Sequence, residues 1–342
     1  MSSEWSFEYV VKSTLMPAVS LFGLVGNSLS IYILHHKEVK LKRDFVEVLC
    51  SLATFDNLLL VSTFFLFSLP TLSAGYDNNI FPYTVPYLYP TCNTFMTCSI
   101  YMTVGVAVNR YLDISDSCRQ VRRIKSGYIQ AAIIFFMSAI VNIPRWFEFD
   151  YESALEIVNV TEISQTSGEE MVFEVNRSRI VATPTALRQN DQYIRDYTLI
   201  SATVLIVLLP MMIMMVSSIL IYRTMEANAS ISVFSDAQEQ ARRRRNRSIT
   251  LMLFGIIFLF LLCHVGEVFI SFYELINVIY GERSAFPAWA RMTVTINHLL
   301  VVMNSSLNFV IYCKVRFEIK SNSVITKWME LAKCVCNNQG SL

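Results

Sequence analysis

Seven stretches of this chain run for at least 19 residues without a single Asp, Glu, Lys or Arg: Ser13 to His36, Asn57 to Tyr76, Asn78 to Asn109, Ser126 to Pro144, Tyr197 to Tyr222, Ser248 to Gly266 and Met292 to Cys313. A helix needs about 20 mainly apolar residues, at about 1.5 Å rise each, to cross a hydrocarbon core of about 30 Å. Every stretch is long enough. In lipid the backbone polar groups must be satisfied within the segment, and runs this long suit helices rather than the short alternating strands of a barrel. One such run can be a buried helix of a soluble protein, but seven in succession cannot all hide in one soluble core. Hydrophobic residues make up 54% of the 342, with a mean hydropathy of +0.43, more apolar surface than a soluble core needs. The expected fold is an all-α membrane protein, a seven-transmembrane helix bundle in contact with the lipid bilayer. Its spans fall at approximately 13–36, 46–72, 80–111, 126–147, 197–222, 248–273 and 287–313. Residues 1–342 form one seven-transmembrane domain, with a long loop at 148–196 and a tail at 314–342.

The charges lie between the spans, and their distribution sets the expected orientation. Counted over alternate loops, Lys and Arg number 19 on one side, including Lys37 to Arg43, Arg119 to Lys125, Arg242 to Arg247 and the tail, against 8 on the side of the amino terminus. Basic residues are retained in the cytoplasm during insertion, so the amino terminus is expected outside and the carboxyl terminus inside. The opening Met1-Ser-Ser-Glu lacks the basic start of a cleavable signal, and the first span is expected to serve as its own insertion signal. Two N-x-Ser/Thr sequons, at Asn159 and Asn176, fall in the long loop on the outside, where glycans are added. That loop also carries ten acidic residues against five arginines between Arg145 and Asp196, a negative rim that suits a cationic ligand and equally a plain solvated loop. The net charge of +1 gives no reason to expect a nucleic-acid partner. None of the eight cysteines falls in an outside loop, which argues against disulfides. Cys334 and Cys336 on the tail are candidates for reversible palmitoylation or are ordinary thiols.

A charged side chain inside a span costs about 2.5 to 3.5 kcal/mol on insertion scales, so each one invites a functional reading. Asp56 is a lone carboxylate among Leu, Phe and Val, with Asn27, Ser99, Asn304, Ser305 and Asn308 as polar groups at its depth. Arg110 stands at the inner end of the third span, where a snorkelling anchor is the plain alternative. Asn304, Asn308 and Tyr312 are spaced i, i+4, i+8 and make one polar stripe that should face other helices. The run Ala241 to Arg247, with five arginines, precedes the sixth span and suits a G protein, anionic lipid or a stop-transfer anchor.

These landmarks resemble the rhodopsin-like G-protein-coupled receptors over essentially the whole chain: Gly26-Asn27, Leu52-Ala-x-x-Asp56, Asn109-Arg110-Tyr111 for Asp-Arg-Tyr, Pro210, and Asn308-Phe-x-x-Tyr312 for Asn-Pro-x-x-Tyr. Within that class, Asn142-Ile-Pro144-Arg145-Trp-Phe-Glu148 and Asn304-Ser-Ser-Leu-Asn308 are similar to the invertebrate receptors for FMRFamide-type neuropeptides. The resemblance implies that Asn109, Arg110 and Tyr111 take part in coupling to a heterotrimeric G protein, that Asn308 and Tyr312 reorganise on activation, and that Asp56, Ser99, Asn304, Ser305 and Asn308 can hold an allosteric sodium ion. All the ligands of that ion would be oxygens, as a hard cation prefers; no other cofactor is expected.

Four departures from the family pattern stand out. Asn109 replaces the acid that would pair with Arg110, which implies higher basal activity. Phe309 replaces the proline of span seven. Cys263-His264-Val265-Gly266 stands where the family has Cys-Trp-x-Pro, leaving Gly266 to supply a weaker bend. Val85 occupies the place of a bridging cysteine.

For the ligand, His264 and Glu267 share a face of span six, Glu274 lies two turns above Glu267, and His298 sits where span seven lines the family's pocket. A peptide ending in Arg-Phe-amide offers a guanidinium for Glu267, with Arg145 and Glu148 within reach of the same ligand. Glu267 bonded only to His264 or His298 is the alternative. The expected function is therefore a receptor for an extracellular peptide, with no nucleophile and base pair to make it an enzyme. A chemosensory receptor for small molecules, or a seven-helix transporter or channel with Asp56, Glu267 and His298 as a relay, are the rivals.

Overall fold

The computed structural model describes residues 7–35, 42–115, 126–163, 170–230, 237–279 and 287–309. Seven long helices run through them. By length and composition, α1 (Phe7–His35), α2 (Arg43–Leu72), most of α3 (Phe81–Ile114), α5 (Asp191–Thr224) and the Phe254–Asn277 part of α6 (Ala237–Ile279) can each cross a membrane. α4 (Gly127–Val141) is shorter, at 15 residues. Proline disfavours helix in the residue before it and brings no N–H of its own, so Pro144 turns the chain into a 3-10 helix at Ile143–Phe147. α7 occupies 288–309.

Side chains are distributed inside out relative to a soluble protein. Leu21, Val25, Phe136, Met137, Phe258, Phe269 and Phe272 are exposed on the outer helix faces, whereas Asn27, Asp56, Ser99, Asn142, Glu148, Ser305 and Asn308 are buried between helices. Lipid explains both halves: apolar groups lose nothing by facing it, and polar groups must turn inward to find partners. Hydroxyls in the spans bond back to their own helix, as Thr54 does to the Cys50 carbonyl and Thr97 to that of Asn93, each at 2.8 Å. Apolar packing closes the rest. Leu52, Met102, Val106, Ile221 and Ile256 join α2, α3, α5 and α6 in one cluster, and Ile100, Ile206, Val207, Met214 and Phe260 make a second.

Three of the described helices widen locally into π turns, in which each N–H reaches back five residues rather than four; α1 does so at Val11–Leu15. α2 does so at Phe64–Ser68, α5 at Ile194–Ser201 and Thr203–Leu208. Pro210 contributes to the α5 segment at Thr203–Leu208. Having no N–H, it leaves a carbonyl of the preceding turn without a backbone donor, and the Tyr101 hydroxyl on α3 donates to the Leu205 carbonyl at 2.6 Å instead.

The expected loop at 148–196 contains a β-hairpin. β1 (Phe149–Ile163) pairs antiparallel with β2 (Glu170–Pro184), from Phe149↔Pro184 at its base to Ile163↔Glu170. β-branched residues at Val158, Val160, Thr161, Val172 and Val175 suit a strand. The hairpin stands on α3 through Phe149 against Tyr89 and Tyr151 against Tyr83, ring centroids 5.2 Å apart in each.

A second expectation also changes. α6 is unbroken α-helix across Gly266, so no break marks the place where a bend was expected. What the missing side chain allows is close approach: a Cβ at Gly266 would lie 2.8 Å from Asn297 Oδ1 on α7. Phe309, in place of the family's proline, packs edge-on against Phe22 and over Gly26, where a Cβ would come within 2.7 Å of its ring.

Candidate functional site

Toward the hairpin end, α2, α3, α5, α6 and α7 enclose a cavity of about 250 Å3. The π segments of α2 and α5 contribute to its wall, through Leu66 and Phe67 on α2 and Thr198, Leu199, Thr203 and Ile206 on α5. Wider turns re-aim side chains, which is why π turns collect at binding sites. Charge lies on opposing walls. Arg145, carried inward by the 3-10 turn after α4, faces Glu267 and Glu274 on α6.

Arg145 is only 7% exposed. Its Nη1 donates to the Tyr89 hydroxyl at 2.8 Å, and its guanidinium carbon lies 5.8 and 5.9 Å from the Tyr89 and Tyr197 ring centres. Among the described residues Nε has no hydrogen-bond partner. On the other wall, Glu267 Oε2 lies 2.9 Å from His264 Nδ1, and the His264 ring rests on Phe260. His298 lies on Phe67 at 4.2 Å, nearly parallel, with Nδ1 unpartnered. His264 Nε2 and Asn297 Oδ1 are also unpartnered and buried. Each such atom costs about 1 to 3 kcal/mol while it stays unmet, a cost that a ligand supplying the partner removes.

Deeper in the bundle is a second polar centre. Asp56 is fully buried, with Oδ1 accepting from Ser99 at 2.5 Å and Oδ2 from Asn308 Nδ2 at 2.8 Å. Asn27 Nδ2 donates to the Ser305 carbonyl at 3.0 Å, and Asn304 and Ser305 are buried on the same stretch of α7. Asn308 Oδ1 and Asn27 Oδ1 have no partner among the described residues. Buried amide and carboxylate oxygens suit a hard cation. Asn308 presents its amide hydrogens to the carboxylate, so accepting a cation there requires the amide to turn its oxygen inward.

At the opposite end, Arg110 is buried on α3 and Tyr111 packs on the cluster of Phe45, Val48 and Ala131. Asn109 Nδ2 donates to Gln130 Oε1 on α4 at 2.8 Å, and Lys42 pairs with Asp113 at the same distance. Glu47 on α2 caps α4, accepting from the Gly127 N–H at 2.9 Å and from the Ser126 hydroxyl at 3.0 Å, while Arg43 holds its other oxygen.

Residues 26–312 match the 7 transmembrane receptor (rhodopsin family), a span covering most of the chain and all seven helices in whole or part. The chain belongs to the rhodopsin family of seven-transmembrane receptors. It is therefore a multi-pass membrane receptor of the plasma membrane rather than an enzyme. It is similar to the FMRFamide receptor of Drosophila melanogaster, 25% identical over 317 residues that cover 89% of this chain and 51% of that protein. The chain thus spans about half the length of the fly protein. Two Caenorhabditis elegans proteins also resemble it. One is the probable G-protein coupled receptor frpr-1, 24% identical over 318 residues, covering 90% of this chain and 76% of that protein. The other is sex peptide receptor-related protein 2, 22% identical over 331 residues, covering 90% and 69%.

In this receptor, Arg145, Glu267, Glu274 and His298 line one cavity, and His264 lies next to it through Glu267. Glu148 does not line it. It is fully buried behind Arg145, accepting from the Tyr193 hydroxyl at 2.8 Å and lying 3.5 Å from Arg188. Asn159 lies on β1 and Asn176 on β2, where the backbone pairing is Asn159↔Glu174 and Ile157↔Asn176. Tyr312, Cys334 and Cys336 lie outside the described residues. Reading the sequence missed Tyr89, Gln130, Glu47 and Asp113. Glu47 falls at the edge of the expected second span and Asp113 just past the third, where charges are ordinary; Tyr89 and Gln130 carried no signal separable from ordinary polar residues of a helix.

Proposed function

We propose that this chain is a receptor for an extracellular neuropeptide of the FMRFamide class, with its amino terminus and hairpin outside, signalling through a heterotrimeric G protein bound at the Arg110 end. The observation that carries the reading is the carboxylate of Glu267 on the wall of a cavity faced by a buried, partly unmatched Arg145. A peptide guanidinium seated at Glu267 forms a charge-assisted pair in a site sheltered from water. Arg145, held by Tyr89, is left to receive a carbonyl of the same peptide. Glu148 serves by fixing Tyr193 and the outer end of α5 beside that arginine.

Peptide binding shifts an equilibrium between two helix packings. In the state that couples, the Asn109–Gln130 pair opens and Arg110 becomes available with Tyr111 to the G protein. Asn308 and Tyr312 take part in the same rearrangement. Sodium held by Asp56, Ser99, Asn304, Ser305 and Asn308 favours the resting packing. Asn159 and Asn176 carry glycans, and Cys334 and Cys336 are sites of tail acylation.

The test is a panel of amidated peptides applied to cells that express the receptor and report calcium and cyclic AMP. A response to peptides ending in Arg-Phe-amide, lost when the arginine is replaced by norleucine, supports the reading. Responses to odorants and none to any amidated peptide overturn it.

A further inference from the structure

Glu274 lies seven residues beyond Glu267 on α6, and both carboxylates line the cavity. Seven residues make two helical turns, so the two groups stand about 10 Å apart along one face, Glu274 nearer the hairpin end. Their surroundings differ. Glu267 is held by His264 at 2.9 Å. Among the described residues Glu274 has no hydrogen bond or ion pair, and Arg188 acts on it only from a greater distance. The one guanidinium among the lining residues, Arg145, gives Nη1 to Tyr89 and keeps Nε without a partner among the described residues. Carboxylates therefore outnumber cations on the lining. A separate observation marks the space as a ligand site: Asn297, only 9% exposed, is one of its lining residues, and its side-chain oxygen, set against Gly266, has no partner among the described residues.

We infer that Glu274 is a second cation subsite, so that the cavity selects ligands with two positive groups about 10 Å apart, one at Glu267 and one at Glu274. This rests on the peptide-receptor reading above. An extended chain advances about 3.3 Å per residue, so about three residues' length separates the groups. In a short amidated peptide with arginine next to last, the free α-amino group meets that spacing: two residues of backbone, with the reach of the arginine side chain added. The ligand class is then a short basic peptide with an uncapped amino terminus, or a longer one with a basic side chain at the equivalent place.

Competition binding with Phe-Met-Arg-Phe-amide and its N-acetyl form tests this on the full-length receptor, because acetylation removes the amino-terminal charge and leaves the arginine. Wild type is expected to bind the free form about tenfold more tightly, the worth of one partly desolvated ion pair. Glu274→Gln should bind both forms equally, at the affinity of wild type for the acetyl peptide, which also reports that the variant is folded. Glu267→Gln should weaken both forms alike and keep their ratio. An acetylation penalty of the same size in wild type and Glu274→Gln overturns the inference, as does equal binding of both forms to wild type. Binding of neither form to wild type overturns the peptide-receptor reading itself.

Discussion

The two ends of the bundle treat polar groups in opposite ways. At the Arg110 end three pairs tie polar groups across helices: Asn109 to Gln130, Lys42 to Asp113, and Glu47 to the start of α4. The space left between them is about 20 Å3, room for no more than a water. At the hairpin end the cavity is more than ten times larger, and Arg145, Asn297 and His298 on its wall, with His264 beside it, keep atoms without partners. Unmet polar atoms at a wall are a cost unless something arrives to meet them, whereas matched pairs cost nothing until they are pulled apart. One end is built to receive, and the other is closed by contacts that can be exchanged.

Replacing groups on either side should separate the two roles. The largest effect is expected from Glu267→Gln, which removes the carboxylate facing the ligand and leaves His264 without its partner. Affinity for Phe-Met-Arg-Phe-amide should fall about 100-fold in competition binding, with basal nucleotide exchange little changed. Tyr89→Phe keeps the ring beside Arg145 and Phe149 and removes one hydrogen bond to a buried guanidinium. A loss of about tenfold in affinity is expected, and an unchanged affinity would show that Arg145 does not need fixing. In the middle of the bundle, sodium should lower agonist affinity of the wild type about fivefold, and Asp56→Asn should abolish that dependence. Equal sodium sensitivity in the two proteins would separate the Asp56 centre from any cation. The smallest effect belongs to the closed end. Gln130→Leu cuts the tie to Asn109, and basal nucleotide exchange should rise about threefold with peptide affinity nearly unchanged. A drop in basal exchange would mean that the Asn109–Gln130 pair supports the coupling state instead.

What the sequence shows and hides follows from how locally each feature is determined. The helices are legible because an apolar run of 19 or more residues has few other fates, and Asp56, Arg110 and Glu267 stand out because they bound such runs while still lying within the expected spans, where charges are rare. The pairing of His264 with Glu267 needs only the helix repeat, and the structure places them 2.9 Å apart. Arg145 is different. Its number is visible beside Pro144, but its direction depends on the 3-10 turn and on Tyr89, 56 residues earlier. Asn109 reads as the loss of an acidic partner, and only the packing of α4 on α3 brings Gln130 to it. Gly266 looked like a bend because it stands where a proline would be, yet the helix continues and the glycine serves Asn297. The hairpin was hidden by its acidic residues, which suggested a solvated loop although Val158 and Val160 stand at a strand's two-residue spacing and Val172 and Val175 are β-branched.

Nucleotide exchange on a purified heterotrimeric G protein, with the receptor in lipid nanodiscs and Phe-Met-Arg-Phe-amide added, joins the two ends in one reading. Peptide-stimulated exchange in the wild type, absent with Glu267→Gln at the same peptide concentration and restored at about 100-fold more, is the expected result. Exchange that ignores the peptide in the wild type, together with peptide-gated ion flux in the same membranes, would contradict it.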